Sequence, residues 1–168
     1  MERLKFLVLI LTVIPLSLFL YYFFIMERPL EGFPRLPTRI ENWEINLTDP
    51  EGKGTDGDFN TATNEGLSKL GEVSFVEYQW PEVTFIKKVK YKIGVREKEA
   101  NTSTRIAIRV IPDGVTESFE SNQTTEQIWE GTIAVNGVYS SVRVDVNTDD
   151  IRPTSQSYLK IYEIQVFV

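Results

Sequence analysis

Residues 157–168 read Ser157-Tyr158-Leu159-Lys160-Ile161-Tyr162-Glu163-Ile164-Gln165-Val166-Phe167-Val168. The stretch reads as a period of two over its full length, with Leu159, Ile161, Glu163 and Phe167 on one face. Such alternation is the mark of a half-buried antiparallel strand. The same period recurs upstream. Val89, Tyr91 and Ile93 alternate with Lys88, Lys90 and Lys92, and Ile106, Ile108 and Val110 alternate with Arg105, Ala107 and Arg109. Val142, Val144 and Val146 alternate with Arg143 and Asp145. Gly71–Gln79 and Gly131–Val135 are further strand candidates. Pro112-Asp113-Gly114, Asn136-Gly137 and Asp149–Pro153 supply turn residues between them. Short strands with no amphipathic helix predict an all-β fold over residues 40–168, an antiparallel β-sandwich of jelly-roll type.

The segment before it is different. Residues 6–26 read FLVLILTVIPLSLFLYYFFIM, without a charge. As a helix these residues span about 32 Å, the thickness of a bilayer core. Tyr21, Tyr22, Phe23 and Phe24 gather near one end as an interfacial belt. Bulky residues from Leu20 to Met26 leave no small-residue cleavage site, so residues 1–26 read as an uncleaved transmembrane signal-anchor. Residues 27–39 hold prolines 29, 34 and 37, which favour an extended stalk. Basic residues flank both ends of the apolar run. Three sequons, beginning at Asn46, Asn101 and Asn122, lean toward a domain on the extracytoplasmic side.

Charge and composition exclude several functions. Residues 1–26 contain Glu2, Arg3 and Lys5, so the remainder holds 16 of the 18 Lys+Arg and 23 of the 24 Asp+Glu, a net of −7. An acidic domain repels phosphate backbones, which argues against nucleic acid. The chain has no Cys and no His. That removes disulfides, thiolate and imidazole metal sites, and Ser-His-Asp triads. Any metal is a hard, oxygen-ligated ion such as Ca²⁺. No phosphate-binding glycine loop or nucleophile elbow is present, so the chain reads as a non-enzyme. The lysines at 87, 88, 90 and 92 read as the solvated face of a strand.

The stretch Lys53-Gly54-Thr55-Asp56-Gly57-Asp58-Phe59-Asn60-Thr61 concentrates carboxylates and hydroxyls. Asp56, Asp58 and Asn60 open like an EF-hand loop, but Thr61 and Leu67 stand where that loop needs Gly and Glu. Together with Phe85–Gly94 and Tyr158–Val166, the loop resembles the galactose-binding-like β-sandwich superfamily, which includes discoidin-type domains and carbohydrate-binding modules. The resemblance implies a structural Ca²⁺ joining the first loop to the last strand. Its ligands would be the carbonyl of Lys53, the carboxylate of Asp56, the carbonyl of Asp58, the hydroxyl of Thr61, the carbonyl of Tyr162 and the carboxylate of Glu163. A carboxylate on a core-facing strand position needs such a partner, because an unpaired buried charge costs several kcal/mol. The other reading is a solvated turn, with Glu163 at an exposed strand end.

A sugar site needs an exposed aromatic beside polar groups. Trp43 is expected to cover the core at the start of the domain, and Trp80 to close a strand before Pro81. Trp129, in a polar run, is the candidate ligand-binding platform. The function expected is an extracytoplasmic module that binds glycans. The alternative is a non-catalytic structural or accessory subunit of a cell-surface, pilus, virion or membrane complex, held by protein contacts.

Overall fold

A computed structural model describes residues 39–112, 116–147 and 155–167. The expected membrane anchor and most of the stalk lie outside the described residues. Among the described residues no helix is long and apolar enough to cross a membrane.

Among the described residues seven antiparallel strands form the fold: β1 (Arg39–Trp43), β2 (Gly66–Leu67), β3 (Val73–Glu97), β4 (Thr104–Ile111), β5 (Thr116–Ser121), β6 (Gln127–Asn147) and β7 (Ser157–Phe167). The only helical piece among the described residues is a 3₁₀ turn, Lys53–Thr55. The strand order is β2-β7-β3-β6-β4-β5, with β1 also paired to β3. The all-β antiparallel expectation stands.

Two strands expected on each side of a break are in fact one. β3 contains both Gly71–Gln79 and Lys88–Ile93 almost entirely, and β6 contains both Gly131–Val135 and Val142–Val146. Asn136-Gly137, expected as a turn, lies inside β6, where Gly137 pairs with Ile86. The register slips by one residue on β6 beside it, and Asn136 has φ of 49°. Asn tolerates the left-handed region, so the pair makes a bulge instead of a hairpin. A larger irregularity between Gln79 and Thr84 bends β3 opposite it.

These bends let two long strands serve two layers. The first half of β3 and the second half of β6 lie between β1 and β4, with β5 beyond β4. The second half of β3 lies between β7 and the first half of β6, with β2 beyond β7. Val76, Tyr78, Ile106, Ile108 and Val144 of the first layer share one core with Val89, Ile93, Ile133, Leu159 and Ile161 of the second. Two layers closing on one core is the arrangement of a β-sandwich. Each buried Val, Ile or Leu among them contributes about 1.5–3 kcal/mol against leaving it in water.

The last strand departs from strict alternation. Lys92 pairs with Glu163, yet Ile93 pairs with Ile161, so Tyr162 is an extra residue in β7. Before this bulge Leu159 and Ile161 face the core. After it Ile164 and Val166 do. Phe167, expected on the same face as Leu159 and Ile161, instead lies under the ammonium groups of Lys88 and Lys90 on the outer face, 4.7 and 5.6 Å from its ring centre.

Candidate functional site

The first loop is built on its own hydrogen bonds. Asp49 accepts from the backbone N–H of Lys53 at 2.7 Å and of Gly54 at 3.1 Å, which starts the 3₁₀ turn. Asp56 Oδ1 accepts from Asp58 N at 2.8 Å, and Asp58 Oδ1 accepts from Asn60 N at 2.9 Å. Thr61 Oγ1 lies 2.9 Å from Asp56 Oδ2 and 3.1 Å from the Asp58 carbonyl. The loop is then tied to two strands. Lys92 Nζ donates to the Phe59 carbonyl at 2.8 Å, and Thr63 exchanges two hydrogen bonds with the backbone of Ile161 at 2.9 and 3.0 Å.

Glu163 enters this loop because of the bulge. A bulge re-aims one side chain without ending the strand. Glu163 is 1% exposed. Its Oε2 accepts from Gly57 N at 2.9 Å, while its buried Oε1 has no hydrogen-bond donor. Burial, reinforced by the Asp56 and Asp58 carboxylates and opposed by the Gly57 N–H, pushes its pKa up to about 8. The exposed-strand-end reading of Glu163 is therefore wrong. The Tyr78 hydroxyl is likewise buried without a partner, and burial followed by the charges of Asp49 and Glu163 drives its pKa well above the ordinary value.

The structure thus brings Asp56, Asp58, Thr61 and Glu163 together. Lys53 begins the 3₁₀ turn leading into the loop, and its ammonium pairs with Glu51 at 2.7 Å. Tyr162 turns its ring outward, with its hydroxyl 3.2 Å from both Glu126 oxygens, which leaves its backbone as the only ligand source on the loop side. Among the described residues no three acidic side chains form a cage of carboxylates. An ion at this place would need backbone carbonyls and the Thr61 hydroxyl. A buried carboxylate oxygen with no donor fits that requirement.

The tryptophans are arranged differently from expectation. Trp129 is half-buried against the core, its ring stacked on Phe119 at 4.7 Å between centres and 10° between planes. The side chain of Trp80 lies outside the described residues. Trp43, expected to cover the core, is 57% exposed. The reason is register. Trp43 pairs with Phe75, whose neighbour Val76 is the one that faces the core. Cross-strand partners share a face, so Trp43 follows Phe75 to the outside.

Beside it lies a charged cluster that periodicity alone does not reveal. Phe75 pairs with Asp145, placing the carboxylate two strand spacings from Trp43, about 10 Å away. Asp145 Oδ1 accepts from Arg143 Nε and Oδ2 from Arg109 Nε, each at 2.5 Å. The Arg143 guanidinium also stacks on the Phe75 ring at 3.6 Å. Val73, Arg105, Arg109, Arg143, Asp145 and Asn147 help line a shallow depression of about 290 Å³. Arg109 and Arg143 are direct cross-strand partners. Like charges so placed destabilise a sheet, which makes the pair a departure of the kind that marks functional surfaces. The signal present in the sequence is Arg at the outward positions 109 and 143, but only the register of β4 on β6 joins them.

The outer face of the other layer carries Lys88, Lys90, Lys92 and Arg96. Each lies over an aromatic ring of β7, with Lys92 5.1 Å from the centre of Tyr162 and Arg96 3.9 Å from that of Tyr158. This row covers apolar rings.

No protein-family model and no curated protein matches the chain. Solved structures do. An agarase, AgWH50C, superposes with a TM-score of 0.51 at 8% identity over 83% of this chain. The chain spans only 24% of the agarase's length. The lectin domain of lectinolysin complexed with Lewis B antigen matches at TM-score 0.46 and 13% identity, over 83% of this chain and 98% of its own. Chitosan-binding module 1 from a chitosanase/glucanase of Paenibacillus sp. IK-5 matches at 0.43 and 17%, over 84% and 99%. The agarase likeness speaks to the fold, and no ligand follows from it.

Proposed function

We propose that this protein is a non-catalytic glycan-recognition module, a jelly-roll sandwich held outside the cell by the apolar N-terminal segment. The glycan would lie on the outer face of the layer containing β1, β3, β6 and β4. The observation that carries this reading is the exposed Trp43 indole in register with Phe75 and Asp145, beside two arginines held by one carboxylate. An indole face stacks on a sugar ring, and rigid polar groups next to it fix the ring's orientation. Binding of the purified full chain to a broad glycan panel tests it. A saturable hit that falls at least tenfold in Trp43→Ala, with the melting temperature unchanged, is expected. A clean blank from folded protein would refute it and move the weight to an accessory subunit held by protein contacts. Half-exposed Phe85 and Val138, cross-strand partners, would then be the surface to examine.

The same reading includes a structural Ca²⁺. Asp56 and Glu163 would hold it by carboxylate, Thr61 by hydroxyl, and Lys53, Asp58 and Tyr162 by carbonyl. The donorless Oε1 of Glu163 supports this assignment. When bound, the ion supplies the positive charge that the carboxylates lack and ties the first loop to the last strand. Metal analysis of the purified protein and its melting with Ca²⁺ or chelator test the assignment. No ion, and no shift, would end it.

A further inference from the structure

We infer that the ligand of this face is an acidic glycan, one bearing uronate carboxylates or sulfate esters, and that Arg109 and Arg143 select it. The inference rests on the glycan-binding reading above and adds the chemistry of the ligand.

Charge points this way first. Beyond residue 26 the chain is strongly acidic, yet three of its arginines meet in one depression with Asp145 as the acid among its lining residues. Arg105 has exposed Glu120 directly opposite on β5, which leaves Arg109 and Arg143 as the selecting pair. Glu77, across from Arg143 on β3, accepts from Ser141 Oγ at 2.5 Å and Gln79 Nε2 at 3.2 Å and does not line the depression. Asp145 is the carboxylate that both Arg109 and Arg143 bond, while Glu77 stays engaged with its own neutral donors outside the depression.

Geometry points the same way. Asp145 is 5% exposed at its side chain, whereas Arg109 is 52% exposed. The anion sits at the floor and a cation at the rim. Each arginine commits its Nε–H to Asp145, leaving four of its five N–H donors on the terminal nitrogens. Arg143 is further fixed by its stack on Phe75. Guanidinium groups held this way meet a planar carboxylate or a sulfate with two parallel hydrogen bonds, and little side-chain entropy is lost on binding. An incoming anion also places a second acceptor between two cations that face each other across adjacent strands. A neutral sugar offers no such gain. Trp43 would stack on a ring of the chain while the arginines take its acidic group.

The experiment compares matched polysaccharides on the full-length protein. Polygalacturonate is set against its carboxyl-reduced form, and chondroitin sulfate against its desulfated form. We expect binding at least tenfold tighter to the member of one pair that keeps the anion under test, the galacturonate carboxylate or the sulfate ester, weakening as salt is raised. Arg109→Gln should lose 10- to 100-fold of that affinity, and Arg109→Lys, which keeps the charge but not the fork, should lose part of it. The double change Lys88→Gln with Lys90→Gln, on the opposite layer, should leave affinity unchanged. The carboxylate pair and the sulfate pair together say which anion is recognised. Equal binding to both members of each pair, still dependent on Trp43, would overturn this inference and leave the glycan reading standing. Charged-glycan binding that survives Arg109→Gln, or that disappears with the two lysines, would overturn it as well. No binding to any of the four polymers, nor to any glycan of the panel, would bring down both.

Discussion

Replacing Glu163 with Gln should stabilise the metal-free protein at alkaline pH, although the residue is buried. The wild-type carboxyl has a folded-state pKa of about 8 against an ordinary 4.5, chiefly from burial. A group with a raised folded pKa contributes stability that is complete below its unfolded value and is lost as pH rises through the folded one. The loss therefore runs from about pH 4.5 to pH 8. The 3.5-unit difference between those two values, at 1.36 kcal/mol per unit, sets a ceiling of about 5 kcal/mol. Gln cannot ionise. Its carbonyl can still accept from Gly57, and its NH₂ supplies the donor missing at Oε1, facing Asp56. At pH 8.5 in chelator, Glu163→Gln should melt above wild type by roughly 6–15 °C, which corresponds to about 2–5 kcal/mol for a domain of this size. At pH 4.5 the two should agree within about 1 kcal/mol. With Ca²⁺ at 100 to 1,000 times its Kd, wild type should gain about 2–4 kcal/mol and the variant nothing. Differential scanning calorimetry at three pH values, with and without Ca²⁺, reads all of this. A metal-free variant less stable than wild type at pH 8.5 would refute the raised pKa. An equal Ca²⁺ response in both proteins would refute the ion site.

Other substitutions separate packing from recognition. Trp129→Ala should lower stability by about 3 kcal/mol through the lost Phe119 stack and core contact, while leaving glycan affinity intact in a binding titration. Gly66→Ala should be severely destabilising, seen as a loss of several degrees in melting temperature. Its Cβ would lie 2.5 Å from Leu47 Cβ and 2.7 Å from Leu47 N, and backbone cannot yield as a side-chain tip can. Arg96→Ala should cost about 1–2 kcal/mol in denaturant melts, because it removes a two-point bond to Glu65 at 2.9 and 2.7 Å and the stack on Tyr158.

Much of the first loop is legible in the sequence. The crowding of oxygens at residues 53–61 and an acidic residue on a core-patterned strand both point to one place, and Glu163 is indeed brought to Asp56, Asp58 and Thr61. The mechanism of delivery is not legible there. Strict alternation puts Glu163 and Phe167 on one face with Leu159 and Ile161, whereas the bulge at Tyr162 exchanges faces between Ile161 and Ile164. One inserted residue leaves almost no trace in a pattern where Tyr, Ile and Val occupy both faces. Asn136-Gly137 misleads for a related reason. The dipeptide favours left-handed backbone wherever that is needed, and here a bulge needs it.

Local chemistry by itself determined the all-β class and antiparallel strands at 88–93, 105–110 and 142–146. It also determined the uncharged run at 6–26 and the exclusion of thiol and imidazole chemistry. These follow from period, composition and length, which act over a few residues at a time. Tertiary structure alone decided that β3 and β6 each cross both layers, that Trp43 faces outward and Trp129 packs inward, and that Arg109 and Arg143 meet over Asp145. The physical reason is register. A slip of one position moves every side chain of a strand to the other face, and register is set by pairings between residues tens of positions apart. No single strand's sequence contains that information.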